Sequence, residues 1–424
     1  MLAYDPSEQN PVLAAFLRDQ VPEELRPPMA VHGKDFMLRF FLGQRADHRE
    51  AALVDYFQSG WSLARAVRAV GLWWFGSGED LEVLDFGAGF GRGTRYLTRL
   101  VSPDRICAMD LFPEMEEFQE EIFGVRASIS SHRPEELDLQ KRFDLVLVSS
   151  LFSHLPPDLF GRWLARLWQT VADDGLLLLS VHGAETRPPG RGMPKEGILF
   201  ESDSEIPELD GGAYGSTWVE EDYLGSLLEA LGLRYHRFPR GLWALQDLYA
   251  VGERIPEGPP PRVGQPAAHL DLLPRHPSPR RLELTGWAVD FWDRELEIRL
   301  LVGGEPAGRT TPHLERPEAA GLLRRPGRGQ VGFWLPVERD RPFDPREICL
   351  VKAVPVDGDG EYVLACDTLQ GLRAYARQLE LARELEIART GYRDLKDRLE
   401  WIEATRLWRA GQVWWRWKGR LTGG

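Results

Sequence analysis

"VLDFGAGFGRGTRYL", residues 83–97, is the stretch that decides the fold. Its apolar start around Asp85 reads as a buried strand, and a helical pattern begins near Gly93. Between them, Gly87, Gly89, Gly91 and Gly93 crowd into seven residues. Glycine costs roughly 0.5–1 kcal/mol more chain entropy than alanine in regular structure. A turn that keeps four of them therefore holds a ligand against its main chain. Two cofactor classes use a strand, a glycine turn and helix-start N–H groups in this way. A dinucleotide requires G-x-G-x-x-G. Here the order is G-A-G-F-G-R-G, with Asp85 one residue ahead of the first glycine.

The composition narrows the class. A chain of 424 residues implies two or three units, and 43% hydrophobic content with 15 Trp and 19 Phe supplies their cores. The 52 Lys and Arg against 65 Asp and Glu leave a formal charge of −13, which disfavours nucleic acid as a partner. Cys107, Cys349 and Cys366 form no paired motif and read as core residues of a cytoplasmic protein. The first ten residues lack a signal-peptide pattern, and no apolar run reaches spanning length.

Outward from the glycine turn the chain divides. Residues 1–80 read as a helical cap, its main helix broken at Gly60. Residues 81–253 alternate "LEVLDF", "RICAMD", "FDLVLVSS" and "GLLLLSV" with helical segments, the pattern of a doubly wound α/β sheet. Eight prolines between Pro256 and Pro279 make 254–280 a linker. Residues 281–367 carry alternating strands and turns, a small all-β sandwich. In 370–424, Ala374, Gln378, Leu381, Leu385, Ala388, Tyr392, Leu395, Leu399 and Ile402 form a heptad seam. That seam predicts a coiled coil and a homo-oligomer. Beyond Glu403 the tail interleaves Arg and Lys with Trp408, Trp414, Trp415 and Trp417. It reads either as peripheral contact with the inner face of a membrane or as packing on protein.

The spacing D-x-G-x-G-x-G resembles the first motif of class I S-adenosylmethionine-dependent methyltransferases. The resemblance covers nearly all of 81–251 and implies a seven-stranded Rossmann-like sheet. It implies that Asp85, Gly87, Ala88, Gly89 and Gly91 face the amino-acid part of S-adenosyl-L-methionine. Asp110, ending the second strand, would hold the ribose, with Leu111 and Phe112 beside the adenine and Ser131 or His132 at its edge. The fourth strand would present Ser149 to Phe152, Ser150 among them. "SLFSHLPPDLFGRWLARLWQTVADDGLLLLSVHG" and "ALQDLYAV" are similar to bacterial methyltransferases of surface-glycan biosynthesis. The β unit, with "LTGWAVD" and "VGFWLPV", is similar to a domain attached to such enzymes.

Open α/β sheets bind ligands at the carboxyl ends of their strands, where His154 and His182 fall with Glu185. Either histidine suits the general base for a hydroxyl acceptor, and either is equally readable as a cap or a core donor. Asp144 reads as a fold residue, and Asp247 points into the acceptor pocket or into a backbone hydrogen bond. Residues 187–215 read as an acceptor-side lid or a solvated loop, without a metal-ligand spacing. The expectation is O-methylation of a sugar or glycan hydroxyl, or of a small molecule. The alternatives are a non-catalytic glycan-binding or assembly scaffold and an NAD-dependent oxidoreductase.

Overall fold

A computed structural model describes residues 3–6, 10–45, 48–76, 80–139, 141–188, 190–202, 212–271, 278–317, 319, 329–358, 360–378, 381 and 396. The chain forms two compact units, 1–371 and 372–424. In the second unit residues 372–378 are helical; most of the predicted coiled coil and all of the Trp- and Arg-rich tail lie outside the described residues. Among the described residues no helix is long and apolar enough to cross a membrane.

The first unit begins with β1 (Ala3–Tyr4), α1 (Pro11–Gln20), β2 (Val31–His32), α2 (Phe36–Arg45) and α3 (Arg49–Phe75). The α/β part follows as β3 (Val83–Phe86), α4 (Thr94–Leu97), β4 (Ile106–Asp110), α5 (Pro113–Phe123), β5 (Arg126–Ile129), β6 (Phe143–Val148), α6 (Pro157–Trp168) and β7 (Val171–Gly183). Then come β8 (Ile198–Glu201), β9 (Ser216–Val219), α7 (Glu221–Ala230), β10 (Arg234–Leu242) and β11 (Gln246–Gly252). The sheet order is β10-β11-β7-β6-β3-β4-β5. The pairs from β7 to β5 are parallel, and β11 is antiparallel to both neighbours. A short arm, β9 with β8, extends the end of β7.

Alternation along the strands divides two cores, as a sheet covered on both faces requires. Leu84, Val146, Val148, Leu177 and Leu179 pack on α6 and α7. Val83, Leu145, Leu147, Leu176 and Leu178 pack on α3 and α5. The strands and the helices α5 and α6 thus form where the sequence places them.

Three expectations are corrected. The long helix does not break at Gly60; α3 is continuous through it. A Cβ at Gly60 would stand 2.2 Å from the Arg92 carbonyl oxygen, so this glycine lets α3 lie against the glycine turn. The helix after the turn is only the four residues of α4, followed by turns. The linker also contributes structure. Within it β12 (Ala267–Leu270) is an edge strand, the position open to a proline-rich segment. Val263 is buried, and its carbonyl accepts the indole N–H of Trp292 at 2.7 Å.

Two antiparallel sheets complete the unit. β12, β13 (Arg281–Val289) and β16 (Gly332–Glu338) form one; β14 (Leu296–Val302), β15 (Glu305–Thr310), β17 (Ile348–Pro355) and β18 (Tyr362–Thr368) form the other. The second sheet closes the core beneath α1 and α3. Leu350, Val363 and Cys366 join Val12, Phe16, Leu53 and Phe57 in one cluster. Gln58 of α3 donates its amide to the Val363 carbonyl at 3.0 Å and accepts the Val363 N–H at 2.8 Å. Lys352 pairs with Asp19 and Glu361, each at 2.9 Å. All three cysteines are buried, as expected of core residues.

Candidate functional site

Above the carboxyl ends of β3, β4 and β6 lies a crevice of about 780 Å³. Its floor is the glycine turn. Gly87 and Gly89 have φ of +77° and +56°, the left-handed region that disfavours side chains. Open space stands where their Cβ atoms would project: nothing lies within 4 Å at Gly89, and only the Leu151 Cβ at 3.9 Å is near at Gly87. The turn is anchored from beneath, since Gly87 and Ala88 donate their N–H groups to the Met109 carbonyl.

Asp110 stands on the crevice wall at the end of β4. Its two carboxylate oxygens accept the backbone N–H groups of Gly89 and Leu111, each at 2.7 Å. Burial raises its pKa, opposed by these two hydrogen bonds. Asp85 is 2% exposed and accepts the Thr94 hydroxyl at 2.7 Å. Burial lifts its carboxyl to about 6; the Thr94 hydrogen bond opposes the rise, and the nearby Asp110 charge adds to it.

Ala88, Leu111 and Ser150 also line the crevice, as do Phe112, Ser131 and His132. Gly91 does not: a Cβ there would meet the Phe123 ring at 2.2 Å, so its role is close packing against α5. The Ser131 hydroxyl donates to Glu136 at 2.5 Å, a local turn bond. The neighbouring Ser130 was not read as a site residue. Its buried hydroxyl faces the same wall and has no hydrogen-bond partner among the described residues.

The two histidines differ. His154 lines the crevice and stacks on Tyr214 with ring centroids 4.5 Å apart. Its Nδ1 is 2.7 Å from the Gly215 carbonyl oxygen. A carbonyl only accepts, so Nδ1 carries a proton and donates it to this oxygen, which fixes the orientation of the ring. His182 is absent from the crevice wall. It stacks on Trp218, and its Nε2 is 3.4 Å from the Gln246 amide. Burial, with a lesser push from His154, lowers its pKa to about 4. The pairing of β7 with β9 carries it behind the wall. The expectation that His182 contacts the acceptor is corrected; it supports the Gln246 network instead. That network holds Ser150 at φ of +63°: Ser150 receives the Gln246 amide on its hydroxyl at 2.9 Å and donates its N–H to Ser180 at 2.8 Å.

Asp247 and Glu185 belong to an ion-pair cluster on Arg237, and Asp247 also accepts the Arg240 N–H at 2.7 Å. Asp144 accepts the Glu82 N–H at 2.8 Å, a fold role. Of the segment expected to be a lid, Ala213 and Tyr214 reach the crevice, β8 is a strand, and residues 203–211 lie outside the described residues.

The roof was legible only as "helical". Asp35, Phe36, Met37 and Phe40 supply it. Asp35 caps α2 through the Leu38 N–H at 3.0 Å and accepts the Tyr56 hydroxyl at 2.6 Å. Arg95, fully buried, donates to Tyr56 and to the Gly91 carbonyl at 3.2 and 3.1 Å. Roof and floor are thus one hydrogen-bonded frame.

Residues 44–237 match the family model described as a methyltransferase domain. This part of the chain is a methyltransferase domain. No curated protein matches the chain. Among solved structures it is similar to the DhpI–SAM–HEP complex, at 16% identity over 51% of this chain and 96% of that one, TM-score 0.35. It is also similar to the Burkholderia thailandensis 1,6-didemethyltoxoflavin-N1-methyltransferase, at 24% identity over 51% and 86%, TM-score 0.34. Streptomyces venezuelae DesVI is 13% identical over 53% and 99%, TM-score 0.36. The methyltransferase domain contains the whole glycine turn, Asp110, Ser130, His154 and Tyr214. Its residues fit S-adenosylmethionine: a bare floor at Gly87 and Gly89 that would take the amino-acid part, the Asp110 carboxylate that would take the ribose, and the orphaned Ser130 hydroxyl that would meet the adenine.

Proposed function

We propose that the chain is an S-adenosylmethionine-dependent O-methyltransferase acting on a sugar or glycan hydroxyl in surface-polysaccharide biosynthesis. The observation that carries the cofactor reading is the open space above Gly87 and Gly89, bordered by Asp110. The resemblance of residues 150–183 and 244–251, and of the β unit, supports the sugar acceptor.

When bound, the cofactor supplies a methyl group on a sulfonium. The chain's own residues do the rest. Gly87 and Gly89 leave room for the methionyl part. Asp110 accepts hydroxyl protons of the ribose, and the Ser130 hydroxyl bonds the adenine edge. His154 receives the acceptor's proton at Nε2, and its Nδ1–H, held by the Gly215 carbonyl, keeps the ring in the right tautomer. The roof from α2 keeps water away from the reacting atoms.

The oxidoreductase alternative is disfavoured by the glycine order, which departs from G-x-G-x-x-G, by Asp85 ahead of the turn, and by the single helical turn of α4. Radiolabelled S-adenosylmethionine incubated with the protein and surface-polysaccharide fragments tests the reading. Label recovered in a methyl ether of a sugar is expected. Cofactor binding without transfer would favour the scaffold alternative, and absence of binding would remove the enzyme reading.

A further inference from the structure

Four cationic or titratable nitrogen side chains line the crevice: Arg92, His132, Arg133 and His154. Arg133 donates to Glu136 at 3.3 Å, at the adenine wall. Arg92 is different. It lies between the third and fourth glycines of the turn, half-buried. Its guanidinium rests on the Trp243 ring, 4.3 Å from the centroid. No carboxylate stands within ion-pair distance of it among the described residues, and no side-chain hydrogen bond holds it there. The contrast with nearby Arg95 is plain, since that guanidinium is committed to Gly91, Pro28 and Tyr56.

A desolvated cation without an anion is costly and is kept where a ligand supplies the anion. Burial lowers the Arg92 pKa, while Tyr56, Asp35 and Asp85 favour its charge from a distance. The platform beneath it is itself strained. Trp243 and Ala244, in the β10–β11 turn, have φ of +54° and +58°, unusual for residues with side chains. The Trp243 indole is fixed by donation to the Ser59 carbonyl at 2.8 Å. That turn lies at the same sheet edge as the glycine turn, because β10 ends where the parallel strands end.

We propose that Arg92, seated on Trp243, binds the α-carboxylate of the methionyl part of S-adenosylmethionine. This rests on the cofactor reading above. The planar guanidinium offers two parallel N–H donors to a carboxylate, and stacking on the indole leaves its edge free for them. Trp243 is a positioning residue that acts through Arg92.

Calorimetry with two thioether nucleosides tests this: S-adenosylhomocysteine, which has the carboxylate, and 5′-methylthioadenosine, which lacks the amino-acid end. Arg92→Gln is expected to weaken S-adenosylhomocysteine about 10- to 100-fold, the loss of a charge-assisted bidentate contact, and to leave 5′-methylthioadenosine unchanged. Trp243→Leu is expected to reduce the preference between the two nucleosides several-fold in the same direction. A merely structural Trp243 would weaken both equally. Arg92→Lys, which keeps the charge without the fork, is expected to fall between wild type and Arg92→Gln and controls for misfolding. Equal loss of both nucleosides, or loss of neither, in Arg92→Gln would overturn the proposal. A wild-type protein that binds neither nucleoside would remove the cofactor reading itself, and a wild type that binds both equally well would overturn only the role of the carboxylate.

Discussion

The Gly89 backbone N–H donates to the Asp110 carboxylate at 2.7 Å, joining the glycine turn to the end of the neighbouring strand. Asp110 therefore shapes the turn, and in the proposed reading it also holds the ribose. Asp110→Ala is expected to weaken S-adenosylhomocysteine by about 1–3 kcal/mol in calorimetry and to lower the melting temperature. Asp110→Asn keeps one acceptor oxygen and is expected to retain more of the stability than of the binding. An unchanged dissociation constant in both variants would take Asp110 out of the site.

Gly89 and Gly91 are expected to separate function from folding. Gly89→Arg places a side chain in the open floor and should abolish cofactor binding; its strain from the left-handed conformation is about 1–2 kcal/mol. Gly91→Ala drives a methyl into the Phe123 ring and should cost more in melting temperature than Gly89→Ala. Equal melting temperatures for the two alanine variants would contradict the packing role of Gly91.

Asp85 is expected to impose a pH dependence. Its folded pKa of about 6 lies above the ordinary value of 3.8, so its contribution to stability is complete at low pH. That contribution is lost as pH rises from about 4 through 6, a loss on the order of 3 kcal/mol. Denaturant unfolding at pH 4 and pH 7.5 should show Asp85→Asn gaining on wild type at the higher pH. A bound cationic cofactor favours the ionised carboxyl, so wild-type affinity should rise as pH passes through 6, and Asp85→Asn should flatten that rise.

The histidines are expected to part in label transfer to the acceptor. His154→Gln should lower transfer about 10²- to 10⁴-fold with cofactor binding intact, the range of a lost general base. His182 has a pKa near 4 and no place on the crevice wall, so it stays neutral in the working range. His182→Gln should act through Ser150 and change the dissociation constant before it changes transfer at saturation. Equal loss of transfer in both variants would return the choice of base to open.

The clamp between α3 and β18 is a stability device. Gln58→Ala leaves the buried N–H and carbonyl of Val363 unpaired, and unfolding by urea should show a loss of about 2–4 kcal/mol. A loss within 0.5 kcal/mol, the scale of an ordinary surface change, would mean that the β sheets are not structurally coupled to the methyltransferase domain there.

The local code was clear where burial on both faces demanded it. Leu177 and Leu179 face one core and Leu176 and Leu178 the other, so "LLLL" could only be a central strand. The glycine turn and Asp110 were equally legible, because their conformation and position are properties of a short stretch. Gly60 misled, since a glycine within a helical pattern signals either a break or a close approach, and only the Arg92 carbonyl beside it shows which. His182 misled for a similar reason: position at the strand end was right, but the β8–β9 arm and Trp218 cover it.

The sequence alone determined the doubly wound sheet, the bare turn after its first strand and the carboxylate at the end of its second, because periodicity and glycine conformation act over a few residues. Only the tertiary structure decided which distant groups meet: Trp243 beneath Arg92, Tyr214 against His154, Val363 on Gln58. Those pairings depend on how strands and loops far apart in the chain converge at one sheet edge or one helix face, and no local pattern of residues encodes that convergence.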